Sequence, residues 1–145
     1  MYKHILIPTD GSALSEAAVK QGIALARSVG ARVTGVTVSP PYQMLAVDPV
    51  MISDTAESYQ AECETRAVKV LDVVESAAGS AGVSCDVVHV VAEHPYQAII
   101  DTAKGKGCDL ICMASHGRKG LSAILLGSET VKVLTHSKTA VLVCR

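Results

Sequence analysis

Short apolar runs alternate along this chain with longer stretches of helical periodicity, and this alternation constrains the fold more than any other feature. Five runs, rich in Val, Ile and Leu, lie at residues 5–7, 32–38, 83–91, 108–113 and 139–144. Continuous apolar runs are typical of parallel strands that are buried on both faces. Crossovers between parallel strands are right-handed, which places helices on both faces. The sequence therefore predicts a doubly wound, Rossmann-like α/β fold with a five-stranded parallel sheet.

Helix start and stop signals separate these strands. A first helix is predicted from Ser12, a good N-cap residue, to Gly30, a good stop signal. Gly22 lies inside this helix at a cost in helix propensity, which indicates close packing against a neighbour. Residues 42–54 have weak periodicity and contain a proline, which predicts a loop. The other predicted helices cover residues 54–78, residues from Pro95 to the stop signals Gly105 and Gly107, and residues 128–136.

Length and composition narrow the class of protein. The chain has 145 residues, which suits a single domain over residues 1–145. A formal net charge of −1 and the lack of Phe and Trp argue against nucleic-acid binding. The apolar runs are too short to span a membrane, and the N-terminus enters a strand without a signal-peptide pattern. We therefore expect a cytoplasmic protein with an aliphatic core and neither nucleic acid nor membrane as a partner.

The five cysteines do not indicate a metal site or a disulfide framework. Their number is odd and their spacing irregular, as is usual in a reducing compartment. Cys108 and Cys112 fall in one predicted strand, where four residues separate their Cα atoms by about 13 Å. A disulfide needs Cα atoms within about 7 Å of each other. We interpret both as small buried hydrophobic side chains.

Three loops are candidates for a ligand site, because doubly wound proteins bind ligands beyond the carboxyl ends of the strands, where the strand order reverses. These loops cover residues 8–12, 38–41 and 113–128. In the third loop, small residues follow a strand directly and Gly127-Ser128 opens a helix. Free N–H groups in such a loop and at a helix N-terminus favour phosphate. Arg118 and Lys119 lie between these two anchors and supply positive charge.

The standard phosphate-binding fingerprints are absent. The chain has no Gly-x-x-x-x-Gly-Lys-Ser/Thr segment, and no Gly-x-Gly-x-x-Gly follows the first strand. Gly117 and Gly120 are therefore open to two interpretations, close approach to a phosphate or a simple turn.

Two segments together resemble the universal stress protein family. Residues 3–12, KHILIPTDGS, are close to the opening segment of that family. The third loop is similar to its nucleotide motif, Gly-x2-Gly-x9-Gly-Ser/Thr, in the form Ala114-x2-Gly117-x9-Gly127-Ser128. The resemblance covers essentially the whole chain. Ala114 stands where the motif has its first Gly: a positive φ there would strain Ala, whereas a need for a small residue alone, which we favour, would not.

The resemblance implies an adenine nucleotide site. Asp10 would accept hydrogen bonds from the ribose or adenine, a role compatible with capping the next helix. Pro8 and Val38 would flank the adenine, Met113 would close the apolar slot, and the glycine loop would meet the phosphates. The residues implied in this site are Pro8, Thr9, Asp10, Val38, Met113, Ala114, Ser115, His116, Gly117, Arg118, Gly127, Ser128, Glu129 and Thr130.

No catalytic or protein-held metal site is expected. Mg²⁺ or Mn²⁺, if present, would be held mainly by phosphate oxygens, because the loop lacks a carboxylate cluster. His116 lies in the loop without a Ser or Asp partner arranged for catalysis. No convincing general base for water is evident, so little turnover is expected.

Three hypotheses follow for function. The resemblance implies a stress-response protein that binds ATP or AMP and forms a homodimer in which two copies of the last strand meet antiparallel. An apolar edge strand without a cover favours the same pairing. The alternative is a dimeric interaction module that does not hold nucleotide, motivated by Ala114. The third hypothesis is a slow ATPase.

Overall fold

The computed structural model describes residues 1–42, 55–117 and 126–145. All of the loop predicted over residues 42–54 except residue 42, and residues 118–125 of the glycine loop, including Arg118, therefore lie outside the described residues. The elements in chain order are β1 (His4–Pro8), α1 (Ala13–Val29), β2 (Arg32–Ser39), α2 (Ala56–Ala81), β3 (Cys85–Val91), α3 (Pro95–Lys106), β4 (Leu110–Ala114), α4 (Ser128–His136) and β5 (Ala140–Cys144).

The five strands form one parallel sheet in the order β3-β2-β1-β4-β5. The chain winds outward from β1 through β2 to β3, then crosses to β4 on the other side of β1 and ends at β5. The strand order thus reverses between β1 and β4, and a crevice opens at the carboxyl ends of those strands. The predicted doubly wound fold is confirmed.

Each face of the sheet packs a separate aliphatic layer. On one face, Ile5 and Ile7 of β1 pack with Val19 and Ile23 of α1 and with Val74 of α2. The other layer joins β1, β2 and β4 to α3 and α4, and its fully or largely buried members are Leu6, Val36, Ile99, Ala103, Cys108, Ile111, Met113 and Val133. The buried members of both layers are aliphatic side chains and cysteines, and the tyrosines Tyr2 and Tyr96 pack only against their margins.

Gly22 marks a close approach between α1 and the sheet. A Cβ at this position would lie 2.6 Å from Ile7 Cδ1 and 3.2 Å from Cys112 Sγ. Since real Cβ atoms do not come this close, Gly22 is what lets α1 rest on β1 and β4. The predicted close packing is confirmed.

The edge strands depart from the prediction of burial on both faces. β1 and β4 are fully buried, but β5 alternates, and Leu142 is 40% exposed. β5 has a hydrogen-bonded neighbour on one side only, and α1 and α4 cover it partly. An apolar run therefore identified the strand without giving its degree of burial.

The boundaries of three elements, α2, β3 and β4, differ from the prediction by two residues or more. α2 begins after Thr55, whose side chain accepts a hydrogen bond from the Ser58 N–H, and it continues to Ala81 instead of Ala78. Gly79 stays helical, and only Gly82, with φ of 70°, leaves the helix. β3 begins at Cys85 instead of residue 83, because residues 83 and 84 connect the cap of α2 to the strand. Gly105, which was predicted as a stop signal, likewise stays inside α3, and Gly107, with φ of 71°, ends that helix in the left-handed conformation.

All five cysteines are free. Both Cys108 and Cys112 are buried, as predicted, but only Cys112 lies in β4: the strand begins at Leu110, so the prediction that Cys108 belongs to it is wrong. Cys112 Sγ lies 3.5 Å from Cys144 Sγ on β5. Burial, with the neighbouring Cys144 thiol, raises the pKa of the Cys112 thiol to about 12, so this side chain is an unreactive part of the core.

Candidate functional site

A cavity of about 560 Å³ opens at the carboxyl ends of β1, β2 and β4, where the strand order reverses. This volume is in the range of small-molecule sites. The described residues that line it are Pro8, Thr9, Asp10, Val36, Val38, Pro95, Ile99, Met113, Ala114, His116, Gly117, Gly127, Ser128, Glu129 and Thr130.

The apolar wall of this cavity belongs to the core itself. Val36, Ile99 and Met113 are buried members of one aliphatic layer, and Val38 packs against the same layer. Their side chains are fixed by core packing, so the wall is formed before any ligand arrives. Such a wall suits a flat apolar group better than a charged one.

Asp10 serves both the start of α1 and the cavity. Its Oδ1 atom accepts hydrogen bonds from the Ser12 N–H at 2.9 Å and from the Ser15 hydroxyl at 2.8 Å. Ser12 is the N-cap of α1, so Asp10 holds the capping turn in place. Oδ2 faces the glycine loop, because a Cβ on Gly117 would lie 2.8 Å from it. The two roles predicted for Asp10 are thus compatible in the structure.

Hydrogen bonds fasten the loop after β4 to the start of α4. The Gly127 N–H donates to the Ser115 carbonyl at 2.7 Å, and the Thr130 hydroxyl donates to the Ala114 carbonyl at 3.0 Å. A Cβ on Gly127 would lie 3.2 Å from the Ser115 oxygen and 3.3 Å from the Cα atom of His116. Gly127 is therefore required by this close approach of two backbone segments.

The N-terminus of α4 has no side-chain cap among the described residues. Its N-cap is Gly127, whereas α1 and α2 use the side chains of Ser12 and Thr55. The first N–H groups of a helix have no partner within the helix, and the helix dipole adds partial positive charge there. Gly127 and Ser128 line the cavity, so this end of α4 offers an anion site within it.

Ala114 causes no backbone strain. No residue other than glycine has a positive φ in the part of the chain that the structure describes. Ala114 is the buried last residue of β4, and its carbonyl accepts the hydrogen bond from Thr130. The position needs a small side chain, and alanine meets this need.

All but two of the residues that the sequence placed in the site line the cavity. Ser115 is buried behind its wall, where its hydroxyl lies 3.0 Å from Nδ1 of His116. Arg118 lies outside the described residues.

Sequence reasoning missed three lining residues, namely Val36, Pro95 and Ile99. Val36 could have been found, because it precedes Val38 by two residues and so shares its face of β2. Pro95 and Ile99 lie on α3, which follows the edge strand β3. The connection between β3 and α3 was not among the three candidate loops, although it also begins at the carboxyl end of a strand.

Among the described residues, no three His, Cys, Asp or Glu side chains are grouped so that they could hold a metal ion. Any Mg²⁺ or Mn²⁺ in this cavity would accordingly depend on ligand oxygens for most of its coordination. No helix over residues 1–42, 55–117 and 126–145 is long and apolar enough to cross a membrane.

The fold and the cavity define a class, the doubly wound α/β proteins with a ligand crevice at the reversal of strand order. Within this class, the model of the universal stress protein family matches residues 1–145. Universal stress protein MJ0531 of Methanocaldococcus jannaschii is 31% identical over 148 residues, which cover all of this chain and 83% of that protein. The chain belongs to the universal stress protein family.

Solved structures agree with this assignment. Protein MJ0577 of Methanocaldococcus jannaschii has a TM-score of 0.80 and 30% identity, with 99% of this chain and 95% of that chain covered. A universal stress protein solved in complex with cAMP has a TM-score of 0.68 and 25% identity, with 99% and 97% covered.

Proposed function

We propose that this protein binds an adenine nucleotide, ATP or AMP, in the cavity at the carboxyl ends of β1 and β4. One observation carries the proposal: a preformed apolar wall and the uncapped N-terminus of α4 border the same cavity. The wall, with Val38 and Met113, accepts the adenine. The N–H groups in the first turn of α4, which begins at Ser128, donate to a phosphate, and Asp10 accepts hydrogen bonds from the ribose or the base.

Two further facts support an adenine nucleotide over other anions. The chain belongs to a family in which one similar member was solved with cAMP bound. The cavity is also lined by the apolar side chains of Pro8, at the end of β1, and Val38, on the neighbouring strand β2. Apolar side chains of this kind suit the face of a flat base better than a sugar.

The proposed role is that of a cytoplasmic nucleotide-binding protein in stress adaptation. Mg²⁺ or Mn²⁺ would enter with the phosphates. Among the described residues, Asp10 Oδ1 is committed to the start of α1, and His116 Nδ1 lies 3.0 Å from the Ser115 hydroxyl, so neither atom is positioned as a base for water. We therefore propose binding without rapid hydrolysis.

We also propose a homodimer that forms through β5. This strand is one edge of the sheet, and its exposed side carries Ala140 and Leu142. An apolar edge strand is a template for another chain. A second copy, paired antiparallel across a two-fold axis, would extend the sheet and cover these side chains.

The nucleotide proposal is tested first by mass spectrometry of the freshly purified, denatured protein, which reveals any nucleotide it carries. Calorimetric titration of nucleotide-free protein with ATP, AMP and, as a control, uridine monophosphate then measures affinity. We expect saturable binding of an adenine nucleotide with one site per chain. A protein that carries no nucleotide and binds none would instead be the dimeric interaction module.

A further inference from the structure

β3 is the second open edge of the sheet, and no strand lies beyond it in the described part of the chain. Just before β3, the Ser84 carbonyl accepts a hydrogen bond from the Val33 N–H of β2. Just after β3, the Ala92 N–H donates to the Ser39 carbonyl of β2. Because the backbone groups of successive residues in a strand point to opposite sides, the even-numbered residues of β3 face β2. Outward-facing N–H and C=O groups therefore belong to residues 85, 87, 89 and 91.

β3 lacks the features that usually protect an edge strand from other chains. Such features are prolines, bulges, very short length and charged side chains along the edge. All seven residues of β3 pair in unbroken register with β2, and none of them is proline. The one carboxylate in the strand, that of Asp86, is bound by the Thr34 hydroxyl and by Lys106 Nζ. The strand is thus able to accept another extended chain.

An added strand would meet apolar side chains on both faces of β3. Val88 and Val90 are half-buried and pack against the aliphatic layer under α3 and α4. Val87 is half-buried on the other face and packs against the layer under α1 and α2. Val91 is 58% exposed at the end of the strand. Covering these side chains removes apolar surface from water, which favours association.

The surface beside the carboxyl end of β3 is acidic. A groove of about 400 Å³ lies between β3 and α3, and its lining includes Val90, Glu93 and Asp101. Asp101 accepts a hydrogen bond from the Gln97 amide, which leaves its negative charge in place. Lys104 follows Asp101 by one turn of α3, yet no salt bridge to either acid is formed by the residues that the structure describes. A positively charged side chain is therefore favoured in this acidic groove.

We propose that β3 is a docking edge for an extended segment of another protein, in which apolar side chains alternate with lysine or arginine. This segment would complete the outward hydrogen bonds of β3 and cover its valines, and one of its cations would enter the acidic groove. A second copy of this chain suits the edge less well. With β5 paired in the proposed homodimer, self-pairing at β3 would join the dimers into an open filament. The inference does not depend on nucleotide binding.

Two-dimensional amide NMR tests the proposal, with a capped peptide of alternating valine and lysine, matched in length to β3, as the probe. We expect saturable chemical-shift changes centred on residues 85–91, with the outward N–H groups becoming protected from hydrogen exchange. A peptide with glutamate in place of lysine should bind about threefold weaker or more at low salt. Glu93→Gln combined with Asp101→Asn should bring the two affinities together. Glu16→Gln, which removes an exposed acid at the start of α1, should leave their ratio unchanged.

Val91→Pro tests the backbone pairing, because proline removes one outward N–H group that β2 does not use, and edge strands tolerate proline at such positions. It should weaken binding of the lysine peptide several-fold more than Val91→Ala, which keeps the N–H group. Thermal unfolding checks that each variant is folded. Equal effects of the two substitutions, equal binding of both peptides, or no binding at millimolar lysine peptide would overturn the proposal. So would outward amides already protected from exchange in the free protein, or a parent that sediments as species larger than a dimer.

Discussion

At the scale of single residues, Gly117 shows how one missing side chain makes room for a ligand. It is exposed, yet a Cβ there would lie 2.8 Å from Asp10 Oδ2. The turn after β1 and the loop after β4 can therefore approach each other this closely only because Gly117 has no side chain. A substitution must displace Asp10, the glycine loop or both, and each of them belongs to the proposed site.

Gly117→Val should weaken binding of ATP or AMP several-fold or more, because the branched side chain displaces the backbone that meets the phosphate. The melting temperature without nucleotide should change little, because the exposed loop at Gly117 gives way more readily than Asp10, whose Oδ1 atom is held by Ser12 and Ser15. Calorimetric titration and a thermal scan measure the two effects. Gly105→Ala is the control: nothing lies within 4 Å of its Cβ position in α3, so it should stabilise the fold by about 0.5–1 kcal/mol and leave affinity unchanged.

His4 takes part in a chain of hydrogen bonds at the amino ends of the strands, opposite the cavity. The Thr34 hydroxyl donates to Asp86 Oδ1 at 2.5 Å, so it must accept from His4 Nε2 at 2.7 Å. Lys106 Nζ completes the chain at 2.8 Å from Asp86 Oδ2. His4 thus carries a proton on Nε2, and in the described part of the chain its buried Nδ1 has no hydrogen-bond partner.

This arrangement predicts a loss of stability in mild acid. Burial, assisted by the positive charge of Arg32, lowers the pKa of His4 below 6.5, although Asp86, the Lys106 carbonyl and Asp109 oppose the shift. The unfolded chain then binds a proton more readily than the folded one, so the free energy of unfolding falls as pH drops below about 6.5, until His4 is protonated in both states. Urea denaturation at pH 7.5, 6.5 and 5.5 measures the slope.

His4→Gln is the control for this slope, because glutamine offers an N–H donor to Thr34 but does not titrate. It should be less stable than the parent at pH 7.5 and lose less stability between pH 7.5 and 5.5. Equal slopes in the parent and in His4→Gln would show that another group is responsible.

At the scale of elements, the strands were predictable and the ends of some elements were not. Apolar runs identify strands because burial in a parallel sheet selects Val, Ile and Leu along the whole run. The end of α2 was missed because glycine has two conformational options, and sequence does not distinguish the helical Gly79 from the left-handed Gly82. Tertiary contacts of the following turn decide between them.

The prediction of a homodimer concerns the exposed side of β5. Leu142→Lys places a charge on the strand that would pair with a second copy, so it should shift the protein toward monomer at tens of micromolar. Sedimentation velocity measures the distribution. Val68→Lys is the control, since Val68 is exposed on α2, 69% accessible, and far in sequence and topology from β5. A monomeric parent, or a Leu142→Lys variant that dimerises fully, would contradict the β5 interface.

At the scale of the whole molecule, most of the site was predictable because it is built from strand ends and one loop motif. The residues at the ends of β1 and β4 follow from the fold rule and from the motif. Val36 could have been found from its place two residues before Val38 on β2, whereas Pro95 and Ile99 could not, because they reach the cavity through the packing of α3 over the sheet. The bond from the Tyr96 N–H to Glu129 joins residues 33 positions apart, and no pattern in the sequence indicates it.

The central claim is that a nucleotide phosphate occupies the N-terminus of α4 while the base contacts the wall formed by Val38 and Met113. Two-dimensional amide NMR during titration with AMP tests it most directly. The account predicts saturable chemical-shift changes at the amides of Ser128, Glu129 and Thr130, with smaller changes at Val38 and Met113. It predicts no change at Lys3 or Asp109, which lie at the amino ends of the strands, opposite the cavity. Saturable chemical-shift changes confined to the amino ends of the strands, or no changes at millimolar AMP, would contradict it.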